Sequence, residues 1–176
     1  MKRLLILFPL LLIHLLGWAQ TQVPSGMVYC GVNLTFTDES RLYIQQRVNE
    51  YQSSHTYFYQ MVERAVRHFP FIEEALRDEG VPDDLKFLCI QESAVKPHAV
   101  STSNAVGFWQ FKEATALEMG LQVTDYIDER KHIYQATRAA ARYFAKANGD
   151  FNNWLYAIIS YYQGPTGAIP HTAPRF

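Results

Sequence analysis

Cysteine is nearly missing: Cys30 and Cys89 are the only two in 176 residues. That excludes a scaffold stapled by several disulfides, and an oxidising compartment would allow one bridge at most. The other reading of Cys89 is a small buried hydrophobe, because it shares an apolar face with Leu85 and Leu88. Neither Cys stands at metal-site spacing with the six scattered His, so no metal is expected. An excess of one charge is lacking too. Sixteen Lys and Arg oppose 17 Asp and Glu, for a formal charge of −1, and no long basic run occurs. Nucleic acid binding therefore has no electrostatic footprint. Strand patterning is sparse, internal repeats are absent, and the length is too small for two sizeable cores.

Long apolar runs are confined to Leu4 through Leu16, broken by Pro9 and His14. Lys2 and Arg3 precede the run, and Gly17-Trp18-Ala19 follows it with small residues. The run is short for a membrane span, and the order is that of a secretory signal. Residues 1–20 are thus expected to be removed on export, to the periplasm or cell envelope. Without Lys2 and Arg3 the count becomes 14 basic against 17 acidic side chains, near −3.

Aromatics are plentiful at 14%, with 11 Tyr, 11 Phe and 3 Trp. They suit a groove for a ring-shaped ligand and equally an aromatic core. Residues 21–38 mix Pro, Gly, Ser and Thr and read as an extended lead-in. From Ser40 the apolar spacing turns helical, through Leu42, Ile44, Val48 and Tyr51. Ser54 is placed to cap a second helix, which Pro70 is expected to interrupt before Phe71 restarts it and Gly80 closes it. Pro82 opens a helix running past Leu85, Leu88 and Cys89 to Glu92, and Lys96-Pro97 ends it. A short helix spans Glu113 to Met119 and stops at Gly120. Asp128 caps a long one that reaches Lys146 and ends near Gly149, and Asn152 caps a last one from Trp154 to about Tyr162. The fold class is all-α, a single helical domain. Residues 21–69 form a lead-in and first helices, and residues 70–176 form the domain that carries the chemistry.

Glu92 stands out in that pattern. Residues 85, 88, 89 and 92 share one helix face, so a carboxyl points where apolar side chains point. A recessed carboxyl at a helix end favours its protonated form and is a candidate general acid. Two further segments follow it in order: Gly107-Phe108-Trp109-Gln110, after Ser103-Asn104-Ala105, and Tyr161-Tyr162-Gln163-Gly164-Pro165.

With these three segments the sequence resembles the lytic transglycosylase family of goose-type lysozyme-like fold, the transglycosylase SLT domain. It is most similar to the membrane-bound murein lytic transglycosylase D branch. The resemblance runs over about residues 70–168 and includes Gln91-Glu92-Ser93-Ala94, Pro97-His98-Ala99, Asn104-Ala105 and Gly107-Phe108-Trp109-Gln110. It implies a lysozyme-like helical domain with a substrate groove for peptidoglycan glycan strands, working without a cofactor. Glu92 would be the catalytic acid and base at the bond between N-acetylmuramic acid and N-acetylglucosamine, leaving a 1,6-anhydro sugar. Gln110 would bond sugar substituents, and Gly107 would let the backbone approach the sugar. Trp109 would stack on a sugar or plug the core. Tyr161 would orient the acid through its hydroxyl, or pack as a core tyrosine, and Ser93 would assist the acid or cap the helix end.

The chain departs from the family pattern in two places. The family usually has Asn after the tyrosine, whereas here Tyr162 is followed by Gln163, which puts one groove contact in question. Past Gly164-Pro165 the chain reaches Phe176 with Pro170 and Pro174 and no helical pattern, so the groove is expected to lack a closing helix. Two other functions stay open: a goose-type lysozyme-like hydrolase, and a catalytically weak module that binds cell-wall glycan.

Overall fold

α1 (Asp38–Ser53) begins where Thr37 Oγ1 accepts the Ser40 N–H at 3.2 Å, with Asp38 and Glu39 in the positive first turn. The computed structural model describes residues 22–163; the expected signal sequence and everything from Gly164 onward lie outside the described residues. The described chain divides into two compact units, one of residues 22–27 and 33–54, the other of residues 28–32 and 55–163. In the first unit, Val23 is buried, and its N–H donates to Gln45 Oε1 at 2.9 Å. The apolar spacing expected to pack α1 does not do so: the helix buries none of its residues, and Leu42 is 73% exposed.

The lead-in holds a feature the spacing did not suggest. β1 (Gly26–Tyr29) and β2 (Val32–Thr35) pair as a two-stranded hairpin. Its two-residue turn, Cys30-Gly31, has φ of 49° and 76°, the positive pair that a hairpin turn needs to match strand twist. Residues 28–32 count with the second unit, where the Cys30 N–H donates to Asp84 Oδ2 at 2.8 Å.

The second unit is built from α2 (His55–Asp78), a 3-10 turn at Asp83–Leu85, α3 (Lys86–Ser93), α4 (Glu113–Glu118), a 3-10 turn at Glu129–Lys131, α5 (Ile133–Phe151) and α6 (Trp154–Gln163). α5 is the hub, packing on α2 and on α6. Its buried side is mostly small, with Ala136, Ala139, Ala140, Ala141 and Ala147 around Phe144, so neighbouring backbones come close. Glu79, just past α2, accepts from Arg138 at 2.7 Å and Arg142 at 3.4 Å, tying the two helices at one end. Ile72, Leu76, Leu85, Val95, Trp109 and Phe144 are the large fully buried apolar side chains. Helices dominate, as expected, and none of the described ones is long and apolar enough to cross a membrane.

Four boundaries differ from expectation. The helix expected to open at Pro82 starts as the 3-10 turn Asp83–Leu85, and α3 begins at Lys86. α2 runs through Pro70 without a break, because Ala65, Ile72, Ala75 and Leu76 on either side are buried, and their packing outweighs one lost helix bond. Gly80 does close the segment, at φ 69°, with the Val81 N–H reaching back to the Leu76 carbonyl at 3.0 Å. Asp128 caps the 3-10 turn rather than the long helix; His132 caps α5 through Nδ1. Asn152 ends α5 in the left-handed conformation, φ 47°, and the Asn153 carboxamide takes over the capping of α6, accepting the Leu155 N–H at 2.9 Å. Cys30 and Cys89 are both buried free thiols, so no bridge joins them. Burial pushes the pKa of each up to about 12.

Candidate active site

α3 delivers Glu92 at its last turn, one residue before the helix ends at Ser93. The chain then turns abruptly: Ala94 and Val95 both take positive φ, 51° and 58°. For a β-branched residue such as Val95 that is a strained conformation, and it is fixed by complete burial of the side chain. Arg64 on α2 braces the turn, its Nε donating to the Ala94 carbonyl at 2.8 Å. Glu92 itself is half-buried. Burial pushes its carboxyl pKa above the ordinary value, and a hydrogen bond from the Tyr162 hydroxyl pulls partly the other way. Among the described residues, no second carboxylate shifts it.

Facing α3 is the turn Gly107–Gln110, and the carbonyls of its first three residues are each tied to side chains. Gln110 Nε2 donates to the Gly107 carbonyl at 3.0 Å and to Ala99 at 3.2 Å. Ser93 Oγ donates to the Phe108 carbonyl at 2.8 Å, and Cys89 Sγ reaches the same oxygen at 3.3 Å. The Tyr161 hydroxyl donates to the Trp109 carbonyl. The turn is thus stapled to the acid's own helix on one side and to α6 on the other. This explains why three separated segments occur together: each supplies one part of a single hydrogen-bonded frame.

That frame changes the parts expected for several residues. Trp109 is completely buried, with its indole N–H on Thr137 Oγ1 at 3.0 Å, so its ring offers no face to a sugar and plugs the core. Gly107 has φ 84°, and a Cβ there would lie 1.9 Å from the Arg130 carbonyl oxygen. A close approach to the Arg130 backbone therefore demands glycine here. Ser93 is buried, with its hydroxyl donating to the Phe108 carbonyl and accepting the Lys96 N–H, which makes it a clamp on the frame. Gln110 commits its amide N–H groups to the turn, while the residue still lines a neighbouring cleft. Tyr161 holds the turn through its hydroxyl, its ring packed 5.0 Å from Phe144 and 5.2 Å from Tyr143.

The hydroxyl that draws the Glu92 pKa downward belongs to the next residue, Tyr162, which is 46% exposed. The spacing could not separate the two tyrosines. They are adjacent on α6, about 100° apart around the helix, so Tyr161 packs in the core while Tyr162 stays exposed. Tyr29, at the hairpin tip, stands close enough to Tyr162 to push that hydroxyl's pKa upward, after burial and Glu92. Nothing in residues 21–38 marked Tyr29 in advance, because its partners are far off in sequence. A cleft of about 430 Å³ opens beside these groups, lined by Gln110, Tyr143, Tyr161 and Tyr162 with Lys112 and Lys146. Among the described residues no His, Cys, Asp or Glu cluster is arranged to hold a metal ion. A half-buried carboxyl whose pKa is raised, on a helix end bound to a rigid turn, is equipped to give and take a proton.

The sequence matches the family described as "Transglycosylase SLT domain" over residues 69–169. Proteins from two Escherichia coli strains, each named membrane-bound lytic murein transglycosylase D, are 30% identical to the chain over 122 residues. The aligned part is 69% of this chain and 27% of each relative, so the chain spans about a quarter of their length. With the family match running over more than half of its residues and through Glu92, the turn at 107–110 and the two tyrosines, the chain belongs to the transglycosylase SLT domain family.

Proposed function

We propose that the protein is a peptidoglycan lytic transglycosylase in which Glu92 is the single catalytic acid and base. The observation that carries the reading is Glu92's own setting: a half-buried carboxyl with a raised pKa, at a helix end locked to the 107–110 turn, with no second carboxylate among the described residues shifting it. Glycosidases that use water or an enzyme nucleophile ordinarily need two carboxylates. One suffices when the substrate carries its own nucleophile. Glu92 gives its proton to the oxygen linking N-acetylmuramic acid to N-acetylglucosamine, and the bond from that oxygen to C1 breaks. The C6 hydroxyl of the muramic acid then bonds to C1, and its proton passes to the Glu92 carboxylate. The acid is restored, and the product ends in 1,6-anhydro-muramic acid. The family membership and the names of the two relatives support peptidoglycan as the substrate. A site of action in the cell envelope, after export, agrees with that substrate.

The test is digestion of purified sacculi by the mature protein and by its Glu92→Gln variant, with mass analysis of the soluble fragments. Glutamine keeps the shape and cannot donate a proton, so release should fall at least about 10²–10⁴-fold. Anhydro ends from wild type are expected. Reducing ends would replace the lyase with a hydrolase, and sacculus binding without release by wild type would leave a glycan-binding module.

A further inference from the structure

The end of the acid's helix is built without the residue that such an end usually takes. The Ala94 N–H reaches the Ile90 carbonyl at 2.8 Å and the Val95 N–H the Cys89 carbonyl at 3.3 Å, so residues in the left-handed conformation satisfy carbonyls of the last turns. Glycine ordinarily fills such a place, because it takes positive φ without steric cost. Here Ala94 stands there at φ 51°, and Val95 follows at 58°. Two adjacent left-handed residues with side chains persist only where their surroundings impose the conformation. On Ala94 the hold comes from another helix: Arg64 Nε donates to its carbonyl at 2.8 Å. Arg64 lies in α2, ahead of the family-matched region, which begins at residue 69. Four residues on, His68 packs edge-on against Phe108 at 5.3 Å, and the Phe108 carbonyl accepts the Ser93 hydroxyl. One helix thus holds both the end of the acid's helix and the turn bonded to it.

The setting of Arg64 points the same way. The residue is half-buried, and its Nη2 is buried with no hydrogen-bond partner among the described residues. Burying a guanidinium nitrogen unpaired is unfavourable, and the stem of a Met or Leu would fill the space without it. What an apolar side chain cannot supply is the donor to Ala94. We infer that Arg64 is a positioning residue for Glu92: it fixes the left-handed turn at Ala94-Val95, and with it the last turn of α3, from which the carboxyl projects. The inference rests on the proposed role of Glu92. α3 has only eight residues, Lys86–Ser93, so an end that is not held frays back through Glu92. The carboxyl then moves with its backbone, and a misplacement of about 1 Å slows a reaction on the order of 10²-fold.

The experiment compares wild type, Arg64→Met, Ala94→Gly and the double variant. One arm follows release of fragments from sacculi, with rates taken per folded molecule. The other reads the backbone NMR chemical shifts of residues 94 and 95, which needs no activity. Arg64→Met keeps an apolar stem and removes the donor. It should lower kcat by about 10- to 100-fold while KM stays within about twofold, and move both sets of shifts away from left-handed values. Glycine needs no hold at φ 51°, so adding Ala94→Gly should restore most of the lost rate and return the Val95 shifts. Arg64→Lys keeps the charge and displaces the donor. It should show the same loss in smaller measure, and it carries the comparison if Arg64→Met does not fold. A full rate per folded molecule in Arg64→Met overturns the inference. So does a lost rate that Ala94→Gly leaves unrestored while the shifts stay left-handed, which would make Arg64 a charge acting on the substrate. If wild type releases no fragments, the proposed function fails, while the shifts still decide whether Arg64 fixes the turn.

Discussion

At Glu92 two opposing effects meet on one carboxyl, and the larger is burial. The sign of the consequence for stability follows. A carboxyl whose pKa is raised by folding contributes fully below its unfolded value, about 4.3, and that contribution is lost as pH rises through the folded value. Wild type should therefore weaken, relative to a variant with no titrating group there, between mild acid and neutrality. Glu92→Gln is that variant. We expect its melting temperature to equal or trail that of wild type near pH 4, and to match or exceed it at pH 7 to 8. Thermal melts of both proteins across this range check it. A gap that stays constant with pH would mean that Glu92 ionises as freely in the fold as in the unfolded chain. A collapsed melting temperature at every pH would make Glu92 a structural residue.

Among the elements, the turn at 107–110 carries the most constraint, and its glycine is the part that cannot be exchanged. At Gly107 a methyl group would meet the Arg130 carbonyl oxygen at 1.9 Å, backbone against backbone, and φ is 84° besides. Arg130 cannot retreat easily. It is buried, its guanidinium is paired to Asp128 at 2.8 Å, and Asp128 also caps its 3-10 turn. Gly107→Ala should thus cost more than the roughly 1 kcal/mol of an ordinary exchange at positive φ, on the order of 2–4 kcal/mol. Chemical denaturation measures this directly, and a loss under about 1 kcal/mol would show that the Arg130 turn yields. How much of this was legible in the sequence varies with the range of the interaction. The helix face of Leu85, Leu88, Cys89 and Glu92 and the stop at Gly80 are local, set by 3.6-residue spacing and by one permissive residue, and they read correctly. Pro70 did not, because tertiary burial on both sides outweighs its local preference. The hairpin turn did not, because Cys30 takes a positive φ usually filled by Asn, Asp or Gly. The segments of the site were visible in order, yet which of the two tyrosines is buried and bonded to the 107–110 turn depends on a rotation around α6 that tertiary packing decides.

Across the second unit as a whole, the candidate site and the hydrophobic core are one structure. Phe108, Trp109 and Phe111, from the turn that borders the acid, sit in the same cluster as Ile72 and Leu76 of α2 and Phe144 of α5. Trp109 is the link. Its ring packs edge-on against Phe144 at 6.2 Å, its indole N–H donates to Thr137 of α5, and its carbonyl receives the Tyr161 hydroxyl from α6. Thr137 in turn donates to the Ile133 carbonyl at 2.7 Å, so the chain of bonds ends in the α5 backbone. A sugar-stacking tryptophan could be truncated with little effect on folding and a large effect on KM. A core tryptophan of this kind cannot. Trp109→Ala should cost about 3–5 kcal/mol through the cavity it leaves. It also strands the Thr137 hydroxyl's acceptor capacity and loosens the turn. Set against a total stability of about 5–15 kcal/mol for a domain of this size, that is a large fraction. The expected result is a markedly lower denaturation midpoint with loss of the near-ultraviolet aromatic signal, and activity falling in step with the folded population. A Trp109→Ala protein that melts like wild type and only binds sacculi more weakly would move Trp109 out of the core and onto the glycan.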